Sequence, residues 1–322
     1  FRRLMEQLNS KQIQLPNFIS FLSALEVKGY SEETLYNYER DLTVFAPFLK
    51  ELDCDFPAVT KKIIEQYKAY LTSRDRRTAS DHAAEKKLGS GSINRTLSSL
   101  RAYIKFLIEM DYPTPLPPEA IRLIRTEKKH AQVAELNELV KLIEAPSTLE
   151  KKKNIALRNR AIMEVLFSTG MRISELVSIR RVQIDNTGRI FIRGKGKKER
   201  FVYLTPRAHQ YIRLYLAVRS DTNPNLFIPY RGLNVSSSKA HISTNYVQER
   251  IKYYRELLGI NIPISAHSLR HGFATYLAES GANPAAIQIL LGHESLDTTT
   301  RYVHASDRYA EKTHQTYHPL KK

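Results

Sequence analysis

Four prolines, Pro113, Pro115, Pro117 and Pro118, fall within six positions of the chain. Proline has no amide hydrogen and disfavours helix in the residue before it, so neither a continuous helix nor a central strand can pass through such a cluster. The prolines sit in DYPTPLPPEAIRLIRTEKKHAQV, followed by a basic run, and form the strongest boundary signal in the sequence. They predict a first domain over residues 1–112, a linker over 113–130 and a second domain over 131–322. A chain of 322 residues is long enough for two medium domains.

Between about residues 17 and 110 apolar side chains recur at helical spacing. SEETLYNYERDLTVFAPFL reads as a helix opened by a Ser31 cap, with Glu32 and Glu33 behind it. In SINRTLSSLRAYIKFLIEM, Ile93, Leu97, Leu100, Ile104 and Leu107 form a core stripe, while Asn94, Ser98, Arg101 and Lys105 line another face. That polar face is a candidate DNA contact, with Thr34 and Arg95 as further candidates, although a solvated helix face has the same pattern. RDRRTASDHAAEKKLGSG reads as a loop with basic ends, lying along phosphates or merely in water.

After the linker, AELNELVKLIEA and NIALRNRAIMEVLFS read as helices, and GRIFIRGKGKKERFVYL as a β-hairpin turned at Gly-Lys-Gly. YIRLYLAV, TNYVQERIKYYRELL, SLRHGFATYLAES and NPAAIQILL continue as helices. The tail SDRYAEKTHQTYHPLKK reads as a short helix capped by Ser306 and stopped near Pro319. The expected fold class is mainly α with a small β-sheet.

Charge narrows the partners. Fifty Lys+Arg against 33 Asp+Glu leave +17, which favours polyanions, nucleic acid before an anionic membrane. Residues 1–130 hold 21 basic and 17 acidic side chains, so +13 of that charge lies beyond them. No apolar run approaches the ~18 residues that span a bilayer, and FRRLMEQLNSKQIQL has no signal-peptide core. No membrane partner is expected, and the expected compartment is the cytoplasm. The chain opens at Phe1 rather than Met, which leaves room for residues upstream. Cys54 is the only cysteine, so neither an internal disulfide nor a cysteine-based metal cluster is available, as suits a reducing compartment.

Taken singly, each chemistry-bearing residue has an ordinary structural explanation. Arg172, in FSTGMRISELVSI, lies between Gly170, which breaks one helix, and Ser174, which can cap the next. An arginine near a helix N-terminus suits an anion, and equally a surface ion pair. Lys195 stands between Gly194 and Gly196 in the hairpin turn, beside Lys197, Lys198 and Arg200. A lysine so free of bulky neighbours could follow a moving phosphate or simply solubilise the turn. His267 and Arg270 share a helix face at a spacing of three, with His271 close behind, and could grip one phosphate from two sides or serve the core and a cap. His293 follows Gly292 at the end of NPAAIQILLGHES, where a helix-capping histidine is the plain alternative. Tyr302, in TTTRYVHAS, is one of 18 tyrosines.

Their order is more specific than any one of them. TGMRISEL, GKGKKER, H-x-x-R followed by HGFAT, LGH and a tyrosine nine residues on resemble the tyrosine recombinase/integrase family over roughly residues 130–310, in a layout close to the Xer recombinases. The helices before 112 resemble that family's core-binding domain. The resemblance implies a helical, SAM-like N-terminal domain and a mixed α/β catalytic domain, closing as a C-shaped clamp on double-stranded DNA. It implies that Tyr302 is the nucleophile, that Arg172 and Arg270 clamp the scissile phosphate, and that His293 donates a hydrogen bond to it. Lys195 would protonate the departing 5′ oxygen, His267 would assist proton transfer at the tyrosine, and Glu175 would brace the site. Lys197, Lys198 and Arg200 are read as DNA contacts.

The chemistry agrees with this inventory. Two bidentate guanidiniums and an imidazole can stabilise the charge on non-bridging oxygens that other enzymes leave to metal ions, so no metal and no cofactor are expected. A covalent 3′-phosphotyrosine conserves the bond energy, and a 5′-hydroxyl from another strand can reseal it without ATP. The resemblance further implies a homo-tetramer on two recombination sites, exchanging strands through a Holliday junction. Xer-type chromosome dimer resolution, mobile-element integration or excision, and a need for accessory proteins all stay open. A type IB topoisomerase would share the tyrosine chemistry without a partner site. A non-catalytic DNA-binding regulator would account for the charge and the helices but not for the six-residue constellation. Plasmid relaxation by a monomer would single out the former, and absence of a covalent adduct on nicked DNA the latter.

Overall fold

The computed structural model describes residues 15–73, 87–126, 134–194, 199–232, 235, 237 and 240–292. The expected tail helix, the 74–86 part of the expected loop, and Lys195, Lys197, Lys198, His293 and Tyr302 lie outside the described residues. The chain divides into two units, Phe1–Lys129 and His130–Lys322.

The first unit is helical: α1 (Phe18–Val27), α2 (Glu32–Thr43), α3 (Phe45–Glu51), α4 (Lys61–Thr72) and α5 (Ser90–Glu109). Its core is built on α5, whose stripe Ile93, Leu97, Leu100, Ile104 and Leu107 is fully buried as its spacing predicts. Phe21 of α1 lies against the rings of Tyr38, Tyr103 and Phe106 at centroid distances of 5.5, 5.5 and 5.4 Å. Ser31 caps α2, its hydroxyl accepting the Thr34 N–H at 3.3 Å. The single helix expected from Ser31 to Leu49 is instead two, broken at Val44. Pro47 explains the break, because it cannot donate to Thr43 and its ring would meet that residue's carbonyl in a continuous helix.

The expected linker over 113–130 also needs correction. Up to residue 126 it is packed onto the first unit, with Leu116 and Ile121 buried in that core. Asn94 holds it there through two bonds to one residue: Nδ2 donates to the Ile124 carbonyl at 2.9 Å and Oδ1 accepts the Ile124 N–H at 2.8 Å. The prolines prevent an α-helix or a strand, leaving only a 3-10 turn over Pro118–Ala120, but the apolar residues among them still have a face to bury.

The second unit contains α6 (Leu136–Leu149), α7 (Lys153–Thr169), α8 (Ile173–Val177), β1 (Arg189–Arg193), β2 (Glu199–Tyr203), α9 (Pro206–Ala217), α10 (Thr244–Leu257), α11 (Ala266–Glu279) and α12 (Pro284–Leu291). The strands form the expected antiparallel hairpin, with Arg189 opposite Tyr203 and Arg193 opposite Glu199, and they make a sheet of two. Helix α7 is the centre, packed by α6, α9 and α11. It buries Arg158, Asn159, Arg160 and Glu164 along with its apolar residues. Burying such groups is tolerable because they are paired. Arg158 donates to Asn159 and to the Ile228 carbonyl, and Arg160 Nε donates to Glu164 at 2.9 Å. No described helix is long and apolar enough to cross a membrane.

Candidate active site

The central helix delivers the first arginine. Helix α7 ends at Gly170, in the left-handed region at φ 59°, and a Cβ there would lie only 2.3 Å from the Phe273 ring of α11. Two residues on, Arg172 is the N-cap of α8. Its N–H donates to Glu175 Oε2 at 2.8 Å and its Nη1 to Oε1 at 3.0 Å. Ser174, expected as the cap, lies inside the first turn, and the Glu175 carboxylate does the reaching back. Gly170→Ala is therefore expected to lower stability by about 1–3 kcal/mol through overpacking and backbone strain. Denaturant unfolding with an unchanged midpoint would show the glycine to be dispensable.

Helix α11 supplies the second pair. Ser265 caps it, accepting the Ser268 N–H at 3.2 Å, which sets His267 in the first turn and Arg270 one turn on. Arg270 is buried, its Nη1 donating to the Gly170 carbonyl at 2.7 Å. Burial, and then the charges of Arg270 and Arg172, hold the His267 imidazole below its ordinary value, so it is neutral near pH 7 and able to accept a proton. His271 packs edge-on against it, with ring centroids 4.6 Å apart.

Helix α12 ends at Gly292, with φ 63°, immediately before His293. Its last carbonyls, which lack partners within a helix, are taken one by one by arginines. The Leu290 oxygen accepts from Arg200 Nε at 2.8 Å, the Leu291 oxygen from Arg270 Nη2 at 2.7 Å, and the Gly292 oxygen from Arg172 Nη2 at 3.3 Å. The negative end of a helix dipole thus holds three guanidiniums at one place. Arg172 thus meets Arg270, about a hundred residues further along the chain, at neighbouring carbonyls of one helix end, with His267 on the same helix as Arg270.

Arg200 requires a correction. It was expected among the DNA contacts, but its side chain is only 8% exposed and forks onto Glu175, with Nη1 to Oε1 at 3.0 Å and Nη2 to Oε2 at 2.8 Å. Burial alone would raise the Glu175 carboxyl. The Arg200 hydrogen bonds, the Arg172 N–H and the two guanidinium charges outweigh it and hold the carboxyl below its ordinary value. Nothing local to GKGKKER distinguishes this arginine from its neighbours, because its partners lie 25 and 90 residues away.

The expected DNA face of the first unit is only partly free. Asn94 spends one amide hydrogen and one carbonyl lone pair on the Ile124 backbone, which fixes its side chain there. Arg95 is tied to the buried Asp41, which also accepts from the Ser99 hydroxyl at 2.9 Å. Thr34 belongs to the Ser31 cap, the two hydroxyls 2.8 Å apart. Arg101 is half-buried, and Lys105 is exposed, 3.8 Å from Glu109. Among the described residues no group of three His, Cys, Asp or Glu could hold a metal ion.

Residues 132–308 match the phage integrase family and residues 18–110 its N-terminal SAM-like domain. The chain belongs to this family and is a tyrosine recombinase, an enzyme of site-specific recombination. It is 30% identical over 319 residues to the tyrosine recombinase XerC of Thermodesulfovibrio yellowstonii, covering 98% of this chain and 99% of that protein. With the tyrosine recombinase XerD of Staphylococcus haemolyticus it shares 31% over 300 residues, 91% and 94% of the two chains. In fold it is similar to XerH site-specific recombinase bound to a palindromic difH substrate, with a TM-score of 0.68 at 19% identity over 88% of this chain and 80% of that one. It is also similar to a lambda integrase dimer bound to a COC′ core site, with a TM-score of 0.64 at 18% identity over 88% and 93%.

Proposed function

We propose that the protein recombines specific DNA sites by cleaving and rejoining strands through a covalent 3′-phosphotyrosine. The observation that carries this reading is the meeting of Arg172 and Arg270 at the last carbonyls of α12, with His267 one turn before Arg270 on α11. Tyr302 attacks the scissile phosphorus, its proton passing toward His267, and the bond from phosphorus to the 5′ oxygen breaks. Arg172 and Arg270 take up the charge on the non-bridging oxygens and His293 donates a hydrogen bond to them. Lys195 protonates the departing 5′ oxygen. Attack by a 5′-hydroxyl from a partner strand reverses the step, and two rounds pass through a Holliday junction.

In this reading the first unit is a core-binding domain and the second the catalytic domain. Both act on double-stranded DNA in the cytoplasm, with Lys197, Lys198, Arg101 and Lys105 adding contacts. Four copies act on two sites. Relatives covering nearly the whole chain carry recombinase names, which disfavours the topoisomerase and regulator readings.

The test is cleavage of a nicked duplex carrying the cognate site, recovered by selection from randomised DNA, in excess EDTA. Adduct is expected at a rate close to that with magnesium, since guanidiniums and imidazole replace the metal. Complete loss of adduct in chelator overturns the mechanism. Recombination between two defined sites, without relaxation of plasmids that lack them, separates the recombinase from a topoisomerase.

A further inference from the structure

We propose that Arg200 is a positioning residue of the recombination reaction, acting through Glu175 to hold and charge the Arg172 guanidinium. The inference rests on the function proposed above. A carboxylate has about four lone-pair sites. Those of Glu175 receive the Arg172 N–H, Arg172 Nη1 and both Nη atoms of Arg200, so its orientation is completely determined. Glu175 and Arg200 have side chains only 5% and 8% exposed, where hydrogen bonds to water cannot easily replace those to each other.

Charge makes the arrangement more than a brace. Arg172 with Glu175 alone is a neutral pair, and its field on a phosphate is largely cancelled. A second guanidinium on the same carboxylate leaves the cluster with one net positive charge, exposed through Arg172, whose side chain is 34% accessible. The chain is shaped around this arginine. Gly292 has no side chain at the point where a Cβ would lie 3.0 Å from Arg200 Nη1 and 3.1 Å from its Cδ. The Leu290 carbonyl takes Nε and so fixes the plane of the guanidinium. A lysine could keep the charge but not the fork.

Because Arg200 lies on the hairpin that carries Lys195, its loss could act on the leaving-group acid instead, and the experiment separates the two routes. Arg200→Lys, Arg200→Gln, Arg172→Ala and the double variant Arg172→Ala/Arg200→Gln are assayed as full-length protein for half-site binding, thermal melting and single-turnover cleavage. Cleavage is measured on substrates with oxygen or sulfur at the 5′ bridging position of the scissile phosphate. Both Arg200 variants are expected to bind within about threefold of the parent and to cleave about 10–100-fold more slowly, by the same factor on both substrates. In the Arg172→Ala background, adding Arg200→Gln is expected to cost less than about twofold, since the residue it acts through is gone. Arg200→Lys keeps the buried charge and remains readable if the glutamine variant melts early.

Rescue by sulfur would assign Arg200 to the Lys195 turn and overturn the proposal. A full additional loss in the Arg172→Ala background would reduce it to general support of the fold, and parental cleavage would make it idle. A parent that forms no tyrosine adduct at all overturns the recombinase reading itself, and this proposal with it.

Discussion

Tyr302→Phe is expected to bind its DNA site with parental affinity and to yield no covalent protein–DNA product. Only the phenolic oxygen is removed, so surface, charge and ring are retained while the atom that attacks phosphorus is lost. Removal of a nucleophile that no neighbour replaces costs about 10⁴-fold or more, which takes the adduct below detection. Tyr309 and Tyr317 are close enough in the chain to be rivals. A nicked substrate, which traps the adduct when the short cleaved strand diffuses away, read by gel and by peptide mapping, distinguishes all three. Adduct from the substituted enzyme with phosphate on Tyr309 or Tyr317 would overturn the assignment.

Lys195→Ala is expected to slow cleavage by about 100-fold or more on the natural substrate, the scale of a lost general acid. An alkoxide is a poor leaving group and needs a proton as the bond to phosphorus breaks. A thiolate has a low pKa and does not, so sulfur at the 5′ bridging position should bring this variant nearly to the parent's rate. Arg172→Ala should gain no comparable rescue, because charge on the non-bridging oxygens still lacks its clamp. Lys197→Ala and Lys198→Ala serve as controls, expected mainly to weaken binding and lessen its salt dependence. An equal defect of Lys195→Ala on both substrates would return this lysine to the role of a phosphate contact.

What could be read from the sequence follows the range of the interactions involved. Gly170 and Gly292 were legible as helix ends because a left-handed C-terminal residue is a local requirement, and both have positive φ. The buried stripe of α5 and the antiparallel hairpin are local patterns too. The break at Val44 was legible through Pro47, but apolar spacing runs straight across it. Asn94 and Arg200 were read as polar and basic surface, and each is committed to a partner distant in the chain. Arg158, Arg160 and Glu164 are charged residues of the kind usually found at the surface, yet α7 buries them because they find each other, Asn159 and a carbonyl. Of the site, the residue types and their order were legible, while the three carbonyls that gather the arginines carry no side-chain signature at all.

Those carbonyls bear on how the protein meets salt. A cleft that collects guanidiniums ordinarily recruits small anions from solution, and DNA must then displace them. Here the negative pole of α12, worth about half an elementary charge, stands in as a tethered counter-charge that neither diffuses away nor competes at high ionic strength. Half a charge offsets only part of three guanidiniums, so positive charge remains to meet a phosphate, and the counterions that DNA sheds there still count. The decline of DNA affinity with salt is then set by the counterions that DNA itself releases, at these arginines and at the basic side chains around them, more than by anions stripped from the protein.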